Sequence, residues 1–528
     1  MDRFVILLEL FSIMPALAAN SNKPNFVIFL ADDMGFSDPA VYGNPLADTP
    51  NINKLAKNGL KFTQFYSASS VGSPSRAAIL TGRYPVRSGV WGKDTAVFNQ
   101  ELTGGLPHEE ITIAEMLAEQ DYKSAYIGKW HLGVGYDREF LPLQHGFDKY
   151  FGVPHTHSDC PCEICFYPDE PCDYDECIVK HAPCQLMYGN SILEQPVDLT
   201  TLSERYARAA TSWIQEYSCS STPFLLFYAF QHTQVPQFAG QRFANKNVGG
   251  HYIDSLAELD WQVGQVIDEL MKHDLLENTL VIFTSDNGPD LEQMENGGFS
   301  GQMRCGKEST FEGGHRVPTI LSWPGHIKSG ISLELLSHLD IWPTLRRLSG
   351  SLEDDFNVVL DGIDFSNVIF SHTKSRRRTI LYYPTRPDPE IGAIGIRNNQ
   401  YKIQNISCEE VCPNSNGGWR CDTQPYILYD LLLDPEERHA LSNDTDHYWS
   451  TLQLMTEQLF NVSSQIEFGE SVLTDFDVTA QMCCDPECKP FPHCCKCKSQ
   501  YSADLFPLDQ SCHGSMEKDQ KHGNRHRI

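Results

Sequence analysis

Basic residues are scarce in this chain of 528 residues. Lysine and arginine together number 41 against 69 aspartates and glutamates, which gives a formal net charge of −28 at pH 7. Proteins that bind nucleic acids present basic patches and a positive balance. We therefore expect no nucleic-acid partner. The acidic balance suits an acidic compartment, where carboxylates and histidines take up protons.

Long apolar runs are missing after the N-terminus. The apolar run over residues 4–14, followed by Ala16-Leu17-Ala18, predicts a secretory signal peptide at residues 1–19. No later run is long enough to cross a bilayer, so we expect no transmembrane segment. These features predict a protein of the secretory pathway, either lysosomal or extracellular.

Cysteine, by contrast, is plentiful. The 18 cysteines crowd between residues 160 and 184 and again between 483 and 497. A secretory route makes disulfides their default state, although zinc remains an alternative for Cys162-x-x-Cys165 and for the Cys-Cys-x-Cys run at Cys494. Glycosylation sequons fit the same route. They lie at Asn405, Asn443 and Asn461.

Four short apolar runs each end in polar residues with possible chemical roles. They are residues 25–30 before Asp32-Asp33, 124–128 before Lys129-Trp130-His131, 224–230 before His232, and 279–284 before Asp286-Asn287. Such runs are typical of strands buried on both faces, and helical patterns at 111–119 and 256–270 lie between them. The alternation predicts an α/β fold, with a large, mostly parallel or mixed sheet between helices and a ligand site at the carboxyl ends of its strands.

The pattern changes after about residue 375. Short β-rich runs separated by turn residues, at 379–383, 392–396 and 426–432, predict a smaller antiparallel sheet, followed by a helix at 447–459. No internal repeat is visible. The expected organisation is a signal peptide at 1–19, an N-terminal α/β domain at 20–374, a smaller C-terminal α+β domain at 375–482, a disulfide-rich tail at 483–512 and a solvated basic end at 513–528.

Two pairs of oxygen ligands end separate predicted strands. They are Asp32, Asp33, Asp286 and Asn287. Hard oxygen ligands without thiolate or imidazole select Ca²⁺ or Mg²⁺ over zinc, although each pair alone could be an ordinary turn. Cationic or titratable side chains would then surround an anionic tetrahedral group beside the metal. They are Arg76, Lys129, His131, His232 and Lys307.

A helix is predicted directly after residue 72. Ser73 is the expected N-cap, Pro74 lies in the first turn and Gly82 follows the end. The unpaired amides and the dipole at such a helix start would favour an anion beside residue 72. A capped helix without any ligand is the alternative.

Several specific motifs lie along the chain after the signal peptide. They are Leu30-Ala31-Asp32-Asp33-Met34-Gly35, the helix at 74–83, Gly128-Lys129-Trp130-His131-Leu132-Gly133, the run at 232–238, the run at 283–289, and Cys305-Gly306-Lys307 through Gly314. Over nearly the whole chain after the signal peptide, the sequence resembles the sulfatase family, its arylsulfatases in particular. The resemblance implies the alkaline-phosphatase-like sulfatase fold.

The resemblance also implies roles for the site residues. Asp32, Asp33, Asp286 and Asn287 would bind one Ca²⁺. Arg76 and Lys129 would hold an aldehyde hydrate, His131 would take its second proton to expel sulfate, and His232 and Lys307 would bind the sulfate and assist the leaving oxygen. In the tail, where spacing alone leaves the connectivity open, the implied disulfides are Cys483–Cys495, Cys484–Cys497 and Cys488–Cys494.

One position departs from the resembled pattern. Where that family has a cysteine, oxidised to the formylglycine nucleophile, this chain has Gly72. Glycine has no Cβ, so formylglycine is not possible there. Ser73 is turned about 100° away along a helix, and Ser70 comes two residues too early.

Three functions remain open. The first is a sulfatase-like protein that binds Ca²⁺ and a sulfated small molecule, glycolipid or glycan with little or no hydrolysis. The second is an active lysosomal or secreted arylsulfatase for which residue 72 is a sequence error or a variant. The third is a phosphoryl-transfer enzyme of the wider alkaline-phosphatase-like group, which would need serine or threonine as its nucleophile.

Overall fold

The structure is a computed structural model that describes residues 23–159, 166–168, 181–351, 358–405 and 426–508. The predicted signal peptide at 1–19, the pair Cys162 and Cys165, and the basic end at 513–528 lie outside these ranges. Among the described helices none is long and apolar enough to cross a membrane.

Strands alternate with helices through most of the described chain. The strands are β1 (Asn25–Ala31), β2 (Leu60–Phe62), β3 (Phe65–Tyr66), β4 (Lys123–Gly128), β5 (Lys149–Gly152), β6 (Leu186–Tyr188), β7 (Ser191–Glu194), β8 (Phe224–Ala229), β9 (Thr279–Ser285), β10 (Thr319–Ser322), β11 (Gly330–Ser332), β12 (Leu336–Ser337), β13 (Ile380–Tyr382), β14 (Gly395–Arg397), β15 (Tyr401–Gln404) and β16 (Ile427–Asp430). The α-helices are α1 (Pro50–Asn58), α2 (Gly72–Thr81), α3 (Pro85–Ser88), α4 (Ile113–Ala118), α5 (Leu202–Tyr217), α6 (His251–Lys272), α7 (Glu312–His315), α8 (Ile341–Leu348), α9 (Ser366–Ser371) and α10 (Asp446–Ser463).

The main sheet has ten strands in the order β11-β2-β10-β9-β1-β8-β4-β5-β6-β7. Its central strands β9, β1, β8, β4 and β5 are parallel, and antiparallel strands flank them on both sides. Ile28 on β1, for example, lies opposite Phe227 on β8 and Ile282 on β9. The predicted mixed sheet is therefore confirmed, and the four predicted runs are adjacent strands within it.

Both faces of this sheet are covered, which explains the continuous apolar runs. On β1, Phe26, Ile28 and Leu30 pack into one core with α2, α4, α8 and α9. The alternate residues Val27 and Phe29 pack into a second core with α1, α5 and α6. Because side chains alternate between two buried faces, every position of β1 after Asn25 is apolar.

A smaller sheet of four antiparallel strands, in the order β13-β14-β15-β16, confirms the sheet predicted after residue 375. Helix α10 covers it, in the place where the sequence predicts a helix. A third core joins Ala78 of α2 to Leu381 and Ile396 of this sheet and to Tyr448 of α10. The small sheet thus packs directly against the helix that begins at residue 72.

The cysteine tail carries the three disulfides that the resemblance implied, Cys483–Cys495, Cys484–Cys497 and Cys488–Cys494. Zinc binding by this run is therefore wrong, because its sulfurs are bonded to one another. Gln195 holds the tail, since its side chain donates to the Met482 carbonyl and accepts from the Cys484 amide. All three sequon asparagines are exposed.

Candidate active site

The carboxyl ends of four adjacent strands bring the predicted site residues together. Asp32 and Asp33 follow β1, Lys129 and His131 follow β4, His232 follows β8, and Asp286 and Asn287 follow β9. These side chains, and that of Arg76 on α2, are at most 3% exposed. Lys307 comes from the loop before α7, with its side chain 19% exposed.

The acidic residues form one compact cluster. Carboxylate oxygens of Asp32, Asp33 and Asp286 lie within 4.8 Å of one another. Asn287 donates from Nδ2 to Asp33 Oδ1 at 2.7 Å, while its own Oδ1 is buried and has no hydrogen-bond partner among the described residues. A buried, unpaired amide oxygen next to three carboxylates is what a hard cation would use as a ligand. This cluster could hold a metal ion.

Three cations neutralise the three carboxylates. Lys129 Nζ lies 2.6 Å from Asp32 Oδ2, and Lys307 Nζ lies 2.6 Å from Asp33 Oδ2. Arg76 reaches two carboxylates, with Nη2 2.9 Å from Asp286 Oδ2 and 3.2 Å from Asp32 Oδ1. The site is therefore close to electrically neutral without an added ion.

Burial and neighbouring charges shift the pKa values of two carboxyl groups in opposite directions. Burial, together with the charges of Asp32 and Asp33, raises the pKa of Asp286 to about 7 against the opposing effect of Arg76. Burial acts the same way on Asp32, but Lys129 and Arg76 hold the pKa of Asp32 well below its usual range. Asp286 is thus the carboxylate with the most to gain from a divalent cation.

Gly72 is the first residue of α2, and Val71 precedes it without capping the helix through its side chain. The predicted N-cap at Ser73 is wrong, because Ser73 lies inside the first turn and its Oγ accepts from the Phe98 amide at 3.1 Å. A Cβ at residue 72 would lie 3.1 Å from Asp286 Oδ2, 3.5 Å from His131 Nδ1 and 3.8 Å from Arg76 Nε. A side chain at this position would therefore point into the charged cluster.

The ring of His131 faces the position that a Cβ of residue 72 would take. Its Nε2 lies 2.8 Å from the carbonyl oxygen of Phe98, which fixes the ring proton on Nε2. Its Nδ1 is buried, carries a lone pair and has no partner in the part of the chain that the structure describes. Burial, together with the charges of Lys129 and Arg76, lowers the pKa of His131 well below its usual value, so the ring is neutral.

Two further residues support the site and were not predicted. Glu258 on α6 lies 3.1 Å from His232 Nε2 through Oε2 and also accepts from the Gly240 amide. Gln234 accepts from Lys129 Nζ at 2.6 Å. Gln234 falls inside the quoted run at 232–238, and Glu258 could have been suspected as a charged residue on the apolar stripe of a predicted helix.

Family comparisons cover most of the chain. Residues 24–351 match the family model described as sulfatase, and residues 375–497 match the model for the C-terminal region of aryl-sulfatase. Arylsulfatase A of Homo sapiens is 40% identical over 511 residues, covering 93% of this chain and 99% of that protein. N-acetylgalactosamine-6-sulfatase of Rattus norvegicus is 33% identical over 520 residues, covering 93% and 95% respectively.

Solved structures agree with the fold. The PsFucS1 sulfatase from Pseudoalteromonas sp. superposes with a TM-score of 0.74 at 26% identity, over 86% of this chain and 92% of that one. Ps i-CgsB, solved in complex with k-i-k-neocarrahexaose, gives a TM-score of 0.68 at 26% identity, over 84% and 94%. The alkaline-phosphatase-like arrangement is thus shared with sulfatases.

Proposed function

Because this chain belongs to the sulfatase family, we propose that it binds Ca²⁺ and sulfate esters but hydrolyses them little or not at all. The observation that carries this proposal is the combination of a charged cluster with a glycine at residue 72, from which a side chain would point into that cluster. The chain would keep the residues that bind the metal ion and the sulfate ester, and it would lack the nucleophile that cleaves the ester.

Calcium is proposed on the character of the donors. Asp32, Asp33, Asp286 and Asn287 offer oxygen atoms alone, and the unpaired Oδ1 of Asn287 needs a partner. Hard divalent cations take such ligands. A bound ion would supply positive charge to an anion at its side. It would also offset the burial and the repulsion from Asp32 and Asp33 that together raise the pKa of Asp286.

Sulfate binding follows from the charge balance. Three carboxylates and three cations cancel, so one divalent cation would leave the site with a net charge of about +2, which favours an anionic ester. Lys129, Lys307 and His232 would contact the sulfate group. Gln234 accepts a hydrogen bond from Lys129 and thereby positions its ammonium group. Glu258 orients the ring of His232 in the same way.

Hydrolysis is expected to be very low because Gly72 offers no nucleophile. Loss of the nucleophile from an intact catalytic unit costs roughly 10⁶-fold in kcat in a well-studied hydrolase. The Oγ of Ser73 accepts from the Phe98 amide and is thus directed toward Phe98. Phosphoryl transfer through serine or threonine at residue 72 is excluded by the same glycine.

An active arylsulfatase is the second candidate, favoured by one observation. A Cβ at residue 72 would lie 3.1 Å from Asp286 Oδ2, so a side chain fits there if this carboxylate shifts by a few tenths of an ångström. If the native protein carries cysteine at this codon, the site is complete. Peptide mass analysis of residues 70–83 from the native source decides between the two candidates.

The proposed ligands are sulfated small molecules, glycolipids or glycans, and the proposed location is the lysosome or the extracellular space. Support for this location comes from the disulfides of the tail and from the exposed sequons Asn405, Asn443 and Asn461. Both features suit a chain made in the secretory pathway.

Thermal unfolding and calorimetry test the binding proposal. We expect EDTA to lower the Tm of the purified full chain, and phenyl sulfate to bind only when Ca²⁺ is present. Asp286→Ala should abolish both responses. Asp260→Ala is the matched control, because Asp260 is a buried carboxylate on α6 that bonds Asn51 outside the cluster. Asp260→Ala should lower the Tm yet keep the response to Ca²⁺. A wild-type chain whose Tm does not change with EDTA and which does not bind phenyl sulfate would refute the proposal.

A further inference from the structure

We propose that His338, a residue outside the charged cluster, positions the metal ligand Asp286 through the hydroxyl group of Ser75. This inference rests on the proposed function, because its readout is the Ca²⁺ affinity of the same cluster. His338 opens the 3₁₀ turn His338–Asp340, which leads into α8. Neither His338 nor Ser75 is among the site residues that the sequence predicts.

Ser75 holds the backbone of a predicted metal ligand. Its Oγ donates to the backbone carbonyl oxygen of Asp286. The next residue of α2, Arg76, binds the carboxylate of Asp286, with Nε 3.0 Å from Oδ2. Ser75 and Asp286 are both fully buried, so bulk water does not compete for these bonds. Helix α2 thus fixes Asp286 by its backbone as well as by its side chain.

The single hydroxyl proton of Ser75 sets the direction of its second hydrogen bond. Because a carbonyl oxygen can only accept, that proton is used in the bond to Asp286. His338 Nδ1 lies 3.2 Å from the same Oγ, so it carries the ring proton and donates. The other ring nitrogen, Nε2, is then an acceptor, and Thr284 Oγ1 donates to it at 3.3 Å. Thr284 Oγ1 in turn accepts from Thr319 Oγ1 at 2.9 Å.

This chain of hydrogen bonds requires a neutral His338. A protonated ring has two donors and no acceptor, so it could not accept from Thr284. Burial and, to a smaller extent, the neighbouring His315 lower the pKa of His338 to about 3. The ring is therefore neutral in an acidic compartment as well as at neutral pH.

His338 connects two elements that carry parts of the cluster. Thr284 lies on β9, the strand that leads into Asp286, and Ser75 lies on α2, which begins at Gly72. His338 accepts from the strand and donates to the helix, so it fixes the helix relative to the strand. Groups that orient metal ligands from outside the coordination sphere commonly change metal affinity by about 10–100-fold when they are replaced.

Calorimetry of Ca²⁺ binding to the full chain, after removal of bound metal with EDTA, tests the positioning role. Ser75→Ala should weaken Ca²⁺ binding about tenfold. His338→Phe, which keeps an aromatic ring beside Phe65, and Thr284→Val should each weaken it about threefold. His338→Gln supplies a donor and an acceptor and should recover most of the affinity. Because His338 acts through Ser75, the double variant Ser75→Ala/His338→Phe should bind Ca²⁺ as tightly as Ser75→Ala alone.

Ser88→Ala is the matched control, because Ser88 is a buried serine that donates to the Pro85 carbonyl at 3.2 Å, outside the cluster. It should lower the Tm and leave the Ca²⁺ affinity unchanged. Wild-type affinity in Ser75→Ala or in both His338→Phe and Thr284→Val, or additive losses in the double variant, would overturn the positioning role and leave Ca²⁺ binding standing. A wild-type chain that binds no Ca²⁺ would refute the proposed function itself.

Discussion

Position 72 lacks a side chain but has the backbone that a side chain would need. Gly72 begins α2 in helical conformation, and its Cβ direction leads to Asp286, His131 and Arg76. A substitution there should therefore act on the chemistry more than on the fold.

Gly72→Cys is expected to confer arylsulfatase activity where the wild type has none. The change supplies a cysteine that can be oxidised to formylglycine, beside a cluster whose other residues are present. Pro74 and Arg76, which the family's cysteine-oxidising enzyme recognises, are present as well. Both forms should be expressed in a secretory host that contains the cysteine-oxidising enzyme and assayed with an aryl sulfate at mildly acidic pH.

Mass analysis of the peptide 70–83 is the control for aldehyde formation. Activity in the glycine form would contradict the proposed loss of catalysis. A folded, aldehyde-bearing variant that stays inactive would show that the pocket has diverged elsewhere.

Glu258 offers a second test at the scale of one residue. It is 2% exposed, and its carboxylate bonds His232 and the Gly240 amide. Glu258→Leu should weaken phenyl sulfate binding about tenfold, because His232 loses the acceptor that orients its ring. Glu258→Gln keeps an acceptor oxygen and should restore most of the affinity. Equal affinity in the leucine and wild-type forms would deny Glu258 this positioning role.

Among the elements, α2 connects the site to the rest of the molecule. All ten of its residues are buried, and it ends at Gly82, whose φ of 69° lies in the left-handed region. A Cβ at Gly82 would lie 3.0 Å from Cβ of Trp342 on α8. Glycine therefore serves here for both backbone conformation and close packing.

Gly82→Ala is expected to lower the free energy of unfolding by about 2–3 kcal/mol, the sum of a left-handed alanine and a displaced neighbour. Gly350→Ala is the matched control, because Gly350 has a φ of 90° and no described atom lies within 4 Å of a Cβ there. Its cost should be about 1–2 kcal/mol. Denaturant unfolding measures both, and equal costs would show that the Trp342 contact has no effect.

The same elements show what the sequence could and could not predict. Strands β1, β4, β8 and β9 were predictable because burial on both faces leaves a continuous apolar run, and the candidate ligands follow them directly. The pairing of His232 with Glu258 was not predictable, because a separate element, helix α6, supplies the carboxylate. The N-cap at Ser73 was wrong because the Phe98 amide, 25 residues away, engages its hydroxyl.

At the scale of the whole molecule, a buried group of charges joins the two sheets. Lys402 on β15 lies 2.8 Å from Glu437 and 3.4 Å from Glu312 on α7. Burial would raise the pKa of Glu312, but Lys402 and Arg397 hold that pKa at about 2. Both carboxylates thus depend on a lysine that is fully buried.

Lys402→Met is expected to destabilise the chain by about 3–5 kcal/mol, because it leaves two buried carboxylates without their shared cation. Adding Glu437→Gln to that variant should recover part of the loss. Lys328→Met, at an exposed lysine, controls for the loss of charge alone. Thermal or denaturant unfolding measures the stability of each variant. A Lys402→Met variant as stable as the wild type would contradict the dependence of the two carboxylates on Lys402.

The cysteine tail also has a bearing on solubility. Strand β7 is the last strand of the ten-stranded sheet, and a bare edge strand is a template for pairing with another molecule. The Cys497 amide donates to the Gln195 carbonyl, and the Gln500 amide donates to the Leu193 carbonyl, so the tail covers that edge. Mild reduction of the tail disulfides should therefore cause self-association, seen by light scattering, before the Tm of the main fold changes. Scattering that rises only as the whole chain unfolds would show that the edge needs no such cover.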